Sequence, residues 1–217
     1  PPNRAVLAAA LGQRYWQILP LGPTGYADSP YQCFSSHAGN PNLIDPDILV
    51  QSRLLQPEDL AGFPRFSDTL IDYGGILEAR LPLLKKAFQN FNSQADSTEK
   101  MAYRNFLKEQ AGWIQDYALF RAIKSSRGQK PWYQWEDPLK KREPEALAAI
   151  RETLREEIDF HKFQQYLFFR QWTAVREYAF NHNIRIIGDI PLYVAHDSAD
   201  AWANPEFFEF DENLNPI

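Results

Sequence analysis

The fold of this chain is most constrained by two short apolar runs. They lie far apart in the sequence, with a long helical pattern between them. The first run covers residues 15–21 and is stopped by Pro20 and Gly22, and the second begins at residue 184 with three isoleucines among four residues. Runs of this kind are typical of strands buried on both faces. The second run follows a long helical segment and ends at an acid, Asp189, an order typical of a parallel α/β barrel or sheet.

The segment between the two runs is predicted to be helical. Residues 57–142 show an interrupted helical pattern, and residues 145–180 predict one long helix whose middle is buried nearly all round. One amphipathic helix is predicted by apolar residues spaced three or four apart, namely Phe106, Ala111, Ile114, Tyr117, Phe120 and Ile123. A further helix is predicted at residues 4–11, ended by Gly12.

Composition and charge disfavour several classes of function. The 217-residue chain has a net charge of −5, and its one basic cluster, residues 140–142, is followed at once by acids, which disfavours nucleic-acid binding. No apolar run reaches the roughly 20 residues of a membrane span, and residues 1–12 show no secretory cleavage pattern. With one cysteine, Cys33, we expect neither a disulfide nor a thiolate metal site, and a cytoplasmic location is the default.

The histidines do not form a metal-binding pattern. No two of them have the spacing of zinc ligands on a helix, so no metal site is expected. His161 lies on the predicted long helix, where a hydrogen-bonded core histidine is the better interpretation. The acidic residues at 206–212 lack the order of a calcium loop and predict a solvated segment.

Asp189 is the first candidate for a functional residue. It follows apolar strand residues, and an unpaired carboxylate inside a parallel sheet would cost a large free energy. At the carboxyl end of a strand it would face the place where barrel enzymes build their sites. A carboxylate that caps nearby backbone amides is an equally good interpretation, because strand-end acids serve both purposes.

A stiff aromatic loop at residues 22–31 is the second candidate. Pro30 restricts the residue before it to an extended conformation, and two glycines allow tight reversals. Such a loop can hold Tyr26 and Tyr31 outward as flat platforms for sugar rings. Tyrosine is usually at least half buried, so inward packing is the better prediction from these features alone. The residues by themselves do not identify the pair of carboxylates that glycosidic chemistry needs.

Two stretches of sequence carry recognisable motifs. The first, at residues 15–32, is Tyr-Trp-Gln-Ile-Leu-Pro-Leu-Gly-Pro-Thr-Gly-Tyr-Ala-Asp-Ser-Pro-Tyr-Gln, and its continuation covers residues 34–45. The second, at residues 185–195, is Arg-Ile-Ile-Gly-Asp-Ile-Pro-Leu-Tyr-Val-Ala. Together they closely resemble the amylomaltase, or disproportionating enzyme, family of 4-α-glucanotransferases. The resemblance runs from about residue 12 to the last residue.

The resemblance implies an α/β fold, a partial (β/α)8 TIM barrel of the α-amylase clan. Its second and third strands would lie in this chain, together with a large inserted helical subdomain. We expect a barrel segment with the second strand and the cleft loop at residues 1–44. The mainly helical inserted subdomain would cover residues 45–142, and residues 143–217 would hold a helix, the third strand and the following loop.

The activity that the resemblance implies is retaining transfer of α-1,4-glucan segments between malto-oligosaccharides, without a cofactor. Tyr31 matches the aromatic residue that packs on the sugar at the cleavage site, and Asp189 matches the acid beside that sugar. Ser29 and Asp28 match the loop that lines the cleft. Tyr26 matches a tyrosine of a secondary glucan-binding site found in some members.

Two features depart from the family pattern. Leu77 stands where the second tyrosine of the secondary site would fall, so that site is expected to be weakened or absent. The nucleophile and the acid/base are expected beyond Ile217, so we expect an amino-terminal piece of an enzyme that is inactive alone. The alternative from another class is a non-catalytic glucan-binding module that uses Tyr26, Tyr31 and the aromatic segment at residues 132–135. The oligomeric state stays open.

Overall fold

A pair of parallel strands joins the two ends of the chain. The computed structural model describes residues 3–25, 28–191 and 193–217. In this part of the chain, β1 (Tyr15–Gln17) pairs with β2 (Arg185–Ile187), with Tyr15 opposite Arg185. The N–H of Ile18 extends the pairing by donating to the carbonyl of Ile187 at 3.0 Å. Because the strands are parallel, the loops that follow them start side by side at one edge.

Helices make up most of the rest of the described chain. They are α1 (Asn3–Ala10), α2 (Pro46–Gln51), α3 (Tyr73–Gln94), α4 (Ser97–Glu109), α5 (Ile114–Ser126), α6 (Asp137–Lys140), α7 (Pro144–Thr153), α8 (Arg155–Asn181) and α9 (Ala199–Ala203). Short 3-10 turns lie at Pro41–Leu43, Pro57–Leu60, Trp132–Gln134 and Pro205–Phe207. Among the described helices, including the 27-residue α8, none combines the length and apolar character that a membrane crossing requires.

Two predicted helices are each divided in the structure. The single helix predicted through residues 106–123 is wrong, because α4 and α5 are separate. Gly112 lies in the turn between them, and glycine inside a helix costs about 1 kcal/mol relative to alanine. The helix predicted over residues 145–180 is likewise two, α7 and α8. They meet at Leu154, whose backbone (φ −105°, ψ 20°) departs from helical values.

The middle of α8 is buried on nearly every side, as predicted. Phe163 is fully buried and packs against α3, with its ring centroid 5.0 Å from that of Phe91. A second apolar cluster forms around α5 and α9, where the rings of Phe120 and Trp202 lie 6.1 Å apart. Burial of such aromatic rings supplies much of the apolar area that stabilises a domain of this size.

His161 is a core residue of α8, as predicted. Its Nδ1 lies 3.0 Å from Gln164 Oε1. Burial, with a smaller contribution from the positive charge of Arg121, lowers the pKa of His161 to about 3. The ring is therefore neutral at pH 7, which suits its place among apolar side chains.

The prediction that both strands are buried on both faces is wrong for this chain. Trp16 and Ile186 pack beneath α1 and α8, but the alternate residues point the other way. Tyr15 is 60% exposed and Ile187 is 46% exposed. No element in the described ranges covers this second face of the sheet, so only one layer of helices packs on the strands.

The helix α8 holds the segment that follows β1 through two buried glutamines. The backbone N–H of Gly39 donates to Gln165 Oε1 at 2.7 Å, and Gln165 Nε2 donates to the Gly39 carbonyl at 2.9 Å. Gln171 repeats the arrangement at Asp45. The backbone N–H of Asp45 donates to Gln171 Oε1 at 2.7 Å, and Gln171 Nε2 donates to the Asp45 carbonyl at 3.1 Å. The glycine is needed for the close approach, because a Cβ at position 39 would lie 1.9 Å from the ring of Phe168.

Replacing Gln165 by methionine should destabilise the protein. Methionine has a similar shape but leaves both backbone groups of Gly39 buried without partners, at about 1–3 kcal/mol for each group. We expect urea unfolding to give a loss of about 2–4 kcal/mol in the free energy of unfolding. Gln89→Met on the exposed face of α3 is the matched control and should change it by less than about 0.5 kcal/mol. Equal midpoints for the two variants would contradict the prediction.

Candidate functional site

The loop after β1 is closed by short backbone hydrogen bonds. The N–H of Gly25 donates to the Gln32 carbonyl at 2.8 Å, and the N–H of Phe34 donates to the Pro23 carbonyl at 2.9 Å. Cys33 is buried beneath this loop, and its thiol donates to the Pro30 carbonyl at 2.9 Å. Burial is the main cause that raises the pKa of the Cys33 thiol, which suits a packed rather than a reactive cysteine.

Tyr31 at the tip of this loop meets Asp189 at the end of β2. The phenol hydroxyl of Tyr31 donates to Asp189 Oδ2 at 2.7 Å, although 158 positions separate the two residues. The parallel pairing of β1 and β2 explains the contact, because it places the loop and the strand end at the same edge of the sheet.

The carboxylate also sets the ionisation of the tyrosine. Its hydrogen bond with the phenol is the main cause that raises the pKa of Tyr31, and partial burial and the negative charge of Asp189 add to it. The phenol therefore stays protonated near neutral pH and remains a hydrogen-bond donor.

The two residues border a cleft of about 740 Å³. Its walls are the loop after β1 and the segment after β2. The lining residues are Gly25, Ser29, Tyr31, Gln32, Phe34, Asp189, Ile190, Tyr193, Val194, Ala195, His196 and Asp197.

Three of the five residues predicted to bind substrate line this cleft, namely Ser29, Tyr31 and Asp189. Tyr31 is 43% exposed and lines the cleft. It does not pack inward, which the usual burial of tyrosine alone favoured. Asp28 does not line it; its carboxylate accepts a hydrogen bond from Thr24 at 3.4 Å. Tyr26 lies outside the described residues. Their roles as sugar-binding residues stay predictions.

A buried ion pair beside the cleft was not predicted. Lys124 on α5 has a side chain only 3% exposed, and its ammonium lies 2.5 Å from Asp197 Oδ2. Desolvation lowers the pKa of Lys124, while the hydrogen bond that its ammonium donates to Asp197 opposes that shift. The available signal was that Lys124 follows Ala122 and Ile123 on the predicted helix, but the sequence gives no hint of its partner.

The aromatic segment at residues 132–135 is not a free surface. Trp132 is fully buried and Trp135 is 5% exposed, so neither ring is available to a sugar. Tyr133 stacks on His196, with ring centroids 4.4 Å apart and planes 8° apart. The segment packs behind the cleft wall, so Trp132 and Trp135 do not support a separate glucan-binding module.

The donor set of the cleft suits polar organic ligands. Within the described residues, no three histidine, cysteine or acidic side chains come close enough together to hold a metal ion. An aromatic ring beside a carboxylate, at the carboxyl ends of parallel strands, is the type of site that α/β enzymes build for small ligands.

Comparison with known proteins defines the family. The profile of the 4-alpha-glucanotransferase family matches residues 4–214, so the chain belongs to that family. It is 49% identical over 205 residues to the 4-alpha-glucanotransferase of Thermus thermophilus, covering 94% of this chain and 40% of that protein. The Clostridium butyricum 4-alpha-glucanotransferase is 43% identical over 209 residues, covering 95% of this chain and 42% of its own length. The chain thus spans about two fifths of these relatives.

Solved structures agree with this assignment. An amylomaltase from Streptococcus agalactiae, solved in complex with acarbose, superposes with a TM-score of 0.93 at 40% identity, over 99% of this chain and 43% of that one. The amylomaltase of Corynebacterium glutamicum superposes with a TM-score of 0.74 at 18% identity, over 94% of this chain and 29% of its own. The second likeness bears on the fold alone.

Replacing Asp189 by asparagine should lower the pKa of Tyr31. The negative charge and the charged acceptor that keep the phenol protonated would both be lost, so the pKa should fall toward the usual value of about 10. NMR titration of the chain labelled with 13C at the tyrosine Cζ would measure this, with Tyr31→Phe identifying the resonance. Asp68→Asn, at an exposed carboxylate outside the cleft, is the control. If Tyr31 titrates alike in the Asp189→Asn and Asp68→Asn chains, the contact does not form in solution.

Proposed function

We propose that this chain forms the sugar-holding part of the active site of a 4-α-glucanotransferase. The reaction is retaining transfer of α-1,4-glucan segments between malto-oligosaccharides. Membership of the family supports the reaction, and the pairing of Tyr31 with Asp189 across the cleft is the observation that carries the proposal. The relative from S. agalactiae was solved with acarbose, which supports an oligosaccharide-like ligand.

The chemistry of the cleft suits a sugar. The ring of Tyr31 offers a flat apolar surface to the C–H face of a pyranose. Beside it, the carboxylate of Asp189 accepts hydrogen bonds from sugar hydroxyls, and the hydroxyl of Ser29 adds a second polar contact. The cleft volume of about 740 Å³ falls within the range of small-ligand sites, which is roughly 300–1,000 Å³.

The bond-breaking groups are proposed to lie outside these 217 residues. Retaining transfer needs two carboxyl groups about 5–5.5 Å apart, one as nucleophile and one as acid/base. Among the described residues that line the cleft, two carry carboxylates, Asp189 and Asp197. The carboxylate of Asp197 is paired with the buried ammonium of Lys124, whereas Asp189 has no cation partner among the described residues. One free carboxylate can hold a sugar but cannot perform the double displacement.

We propose that the strands belong to a (β/α)8 barrel whose other strands lie elsewhere in the protein. The parallel pairing of β1 and β2 and the uncovered apolar residues on one face of the sheet support this arrangement. The division into a barrel segment (1–44), an inserted helical subdomain (45–142) and a second barrel segment (143–217) is proposed with it. A cytoplasmic location stays a prediction.

Titration with maltoheptaose tests the sugar-holding role. We expect weak binding by calorimetry and a loss of roughly tenfold in affinity, or about 1.4 kcal/mol, for Tyr31→Ala. Tyr31→Phe keeps the stacking surface and should lose less. Tyr73→Ala is the matched control, since Tyr73 is 41% exposed against 43% for Tyr31 and lies outside the cleft. Identical affinities for the Tyr31→Ala and Tyr73→Ala chains would overturn the assignment.

The 217-residue chain by itself should show no transferase activity. The reason is that, among the described residues lining the cleft, only Asp189 carries a carboxylate without a cation partner, and one carboxylate cannot form and break a glycosyl intermediate. Incubation with maltotriose, followed by chromatography of the products, should give neither glucose nor longer oligosaccharides. Any disproportionation by the purified chain would contradict the expectation, with a heat-inactivated sample as the blank.

A further inference from the structure

Lys124 contacts both walls of the cleft. Its ammonium lies 2.5 Å from the carboxylate of Asp197, in the wall after β2. The same ammonium lies 5.0 Å from the centroid of the Phe34 ring, in the wall after β1. Phe34 and Asp197 both line the cleft, so one buried cation on α5 joins its two sides from beneath.

The wall after β2 is held firmly at this point. The second oxygen of the Asp197 carboxylate accepts the backbone N–H of Trp132 at 3.3 Å. The indole N–H of Trp132 donates to the carbonyl of His196 at 2.6 Å. The ammonium of Lys124 also donates to the carbonyl of Lys130 at 3.3 Å. Residues 196 and 197 are thus fixed to the end of α5 and to the turn that follows it.

The wall after β1 is fixed at the same point. The Phe34 ring is bordered by two cations, with the guanidinium carbon of Arg121 4.6 Å and the Lys124 ammonium 5.0 Å from its centroid. The backbone also ties the walls together, because the N–H of Ala199 donates to the Phe34 carbonyl at 2.8 Å. That bond joins the backbones of the two wall segments, whereas the contacts of Lys124 fix the Phe34 and Asp197 side chains.

The buried charge of Lys124 is not explained by its contribution to stability. Burying an ammonium costs several kcal/mol, and a buried ion pair commonly recovers little more than that cost. Such a pair can fix local geometry, because neither partner can move without leaving the other unpaired. Here the geometry in question is that of the cleft.

We propose that Lys124 is a positioning residue, which holds the two walls of the cleft in the arrangement that lets Tyr31 reach Asp189. Lys124 does not contact the proposed sugar; it acts through Phe34 and Asp197. Its effect on sugar binding rests on the proposed function. Its effect on the Tyr31–Asp189 contact does not, and can be measured without any ligand.

The test is the ionisation of Tyr31 in the 217-residue chain. NMR of 13C-labelled tyrosine measures the pKa of Tyr31. In Lys124→Met, this pKa should no longer be raised above the usual value for a tyrosine. Lys141→Met removes an exposed lysine from its pair with Asp137 and should leave the titration unchanged. Circular dichroism over the same pH range establishes that each chain stays folded. A Tyr31 titration that matches the unmodified chain in folded Lys124→Met would overturn the proposal.

A second variant separates positioning from stability. Lys124→Met leaves the carboxylate of Asp197 without its cation and is expected to lower the melting temperature. The double variant Lys124→Met/Asp197→Asn leaves no unpaired charge, so its melting temperature should recover much of the loss. Its Tyr31 titration should still lack the upward displacement. If the double variant regains both stability and the displaced titration, Lys124 is only structural and the proposal fails.

The affinity for maltoheptaose then tests whether the positioning role of Lys124 matters for the proposed function. If the unmodified chain binds maltoheptaose, Lys124→Met should weaken binding by about tenfold, within the range of couplings between contacting residues. If the unmodified chain does not bind, the proposed function loses its support while the Tyr31 titration still decides the role of Lys124. Binding that is unchanged in Lys124→Met, together with an unchanged titration, would overturn the positioning role.

Discussion

The paired hydrogen bonds between the Gln165 side chain and the backbone of Gly39 join the helical part of the protein to the segment that forms the cleft. The Gln165 amide presents its carbonyl oxygen and one N–H on the same side, so it pairs with both backbone groups of Gly39 as a residue of a neighbouring strand would. Both bonds are buried, and unmade they would each cost about 1–3 kcal/mol. Gln171 repeats the interaction at Asp45, so α8 fixes this segment at two points.

From that attachment, the position of the cleft follows step by step. The N–H of Asn40 donates to the carbonyl of Leu21 at 2.7 Å, which closes the loop that carries Tyr31. The parallel pairing of β1 and β2 then places Asp189 beside the same loop. The contact between Tyr31 and Asp189 is therefore made by two segments that are already held in place, and little conformational entropy is lost when a ligand binds to them.

The sequence predicted what depends on local pattern and missed what depends on distant partners. Asp189 stood out because an acid ended a strand, and Tyr31 because a stiff loop carried it. Gln165 and Lys124 did not stand out, since apolar periodicity identifies the buried face of a helix but not the partner of a polar residue on it. Their partners lie 126 and 73 positions away. Inward packing was the better prediction for Tyr31 from the loop residues alone, and only the family resemblance placed it in the cleft, where the structure has it 43% exposed.

The two carboxylates of the cleft show how environment assigns different roles to one chemical group. Asp197 accepts hydrogen bonds from a buried ammonium and a backbone N–H, so its carboxylate holds the cleft wall in place. Asp189 meets a neutral phenol, so its charge stays available to a ligand. If a sugar binds as proposed, its hydroxyl must share Asp189 with the Tyr31 hydroxyl or displace it, and displacement frees the Tyr31 ring to pack on the sugar. The hydrogen bond between Tyr31 and Asp189 is thus one that ligand binding can exchange, because a charged acceptor accommodates either donor.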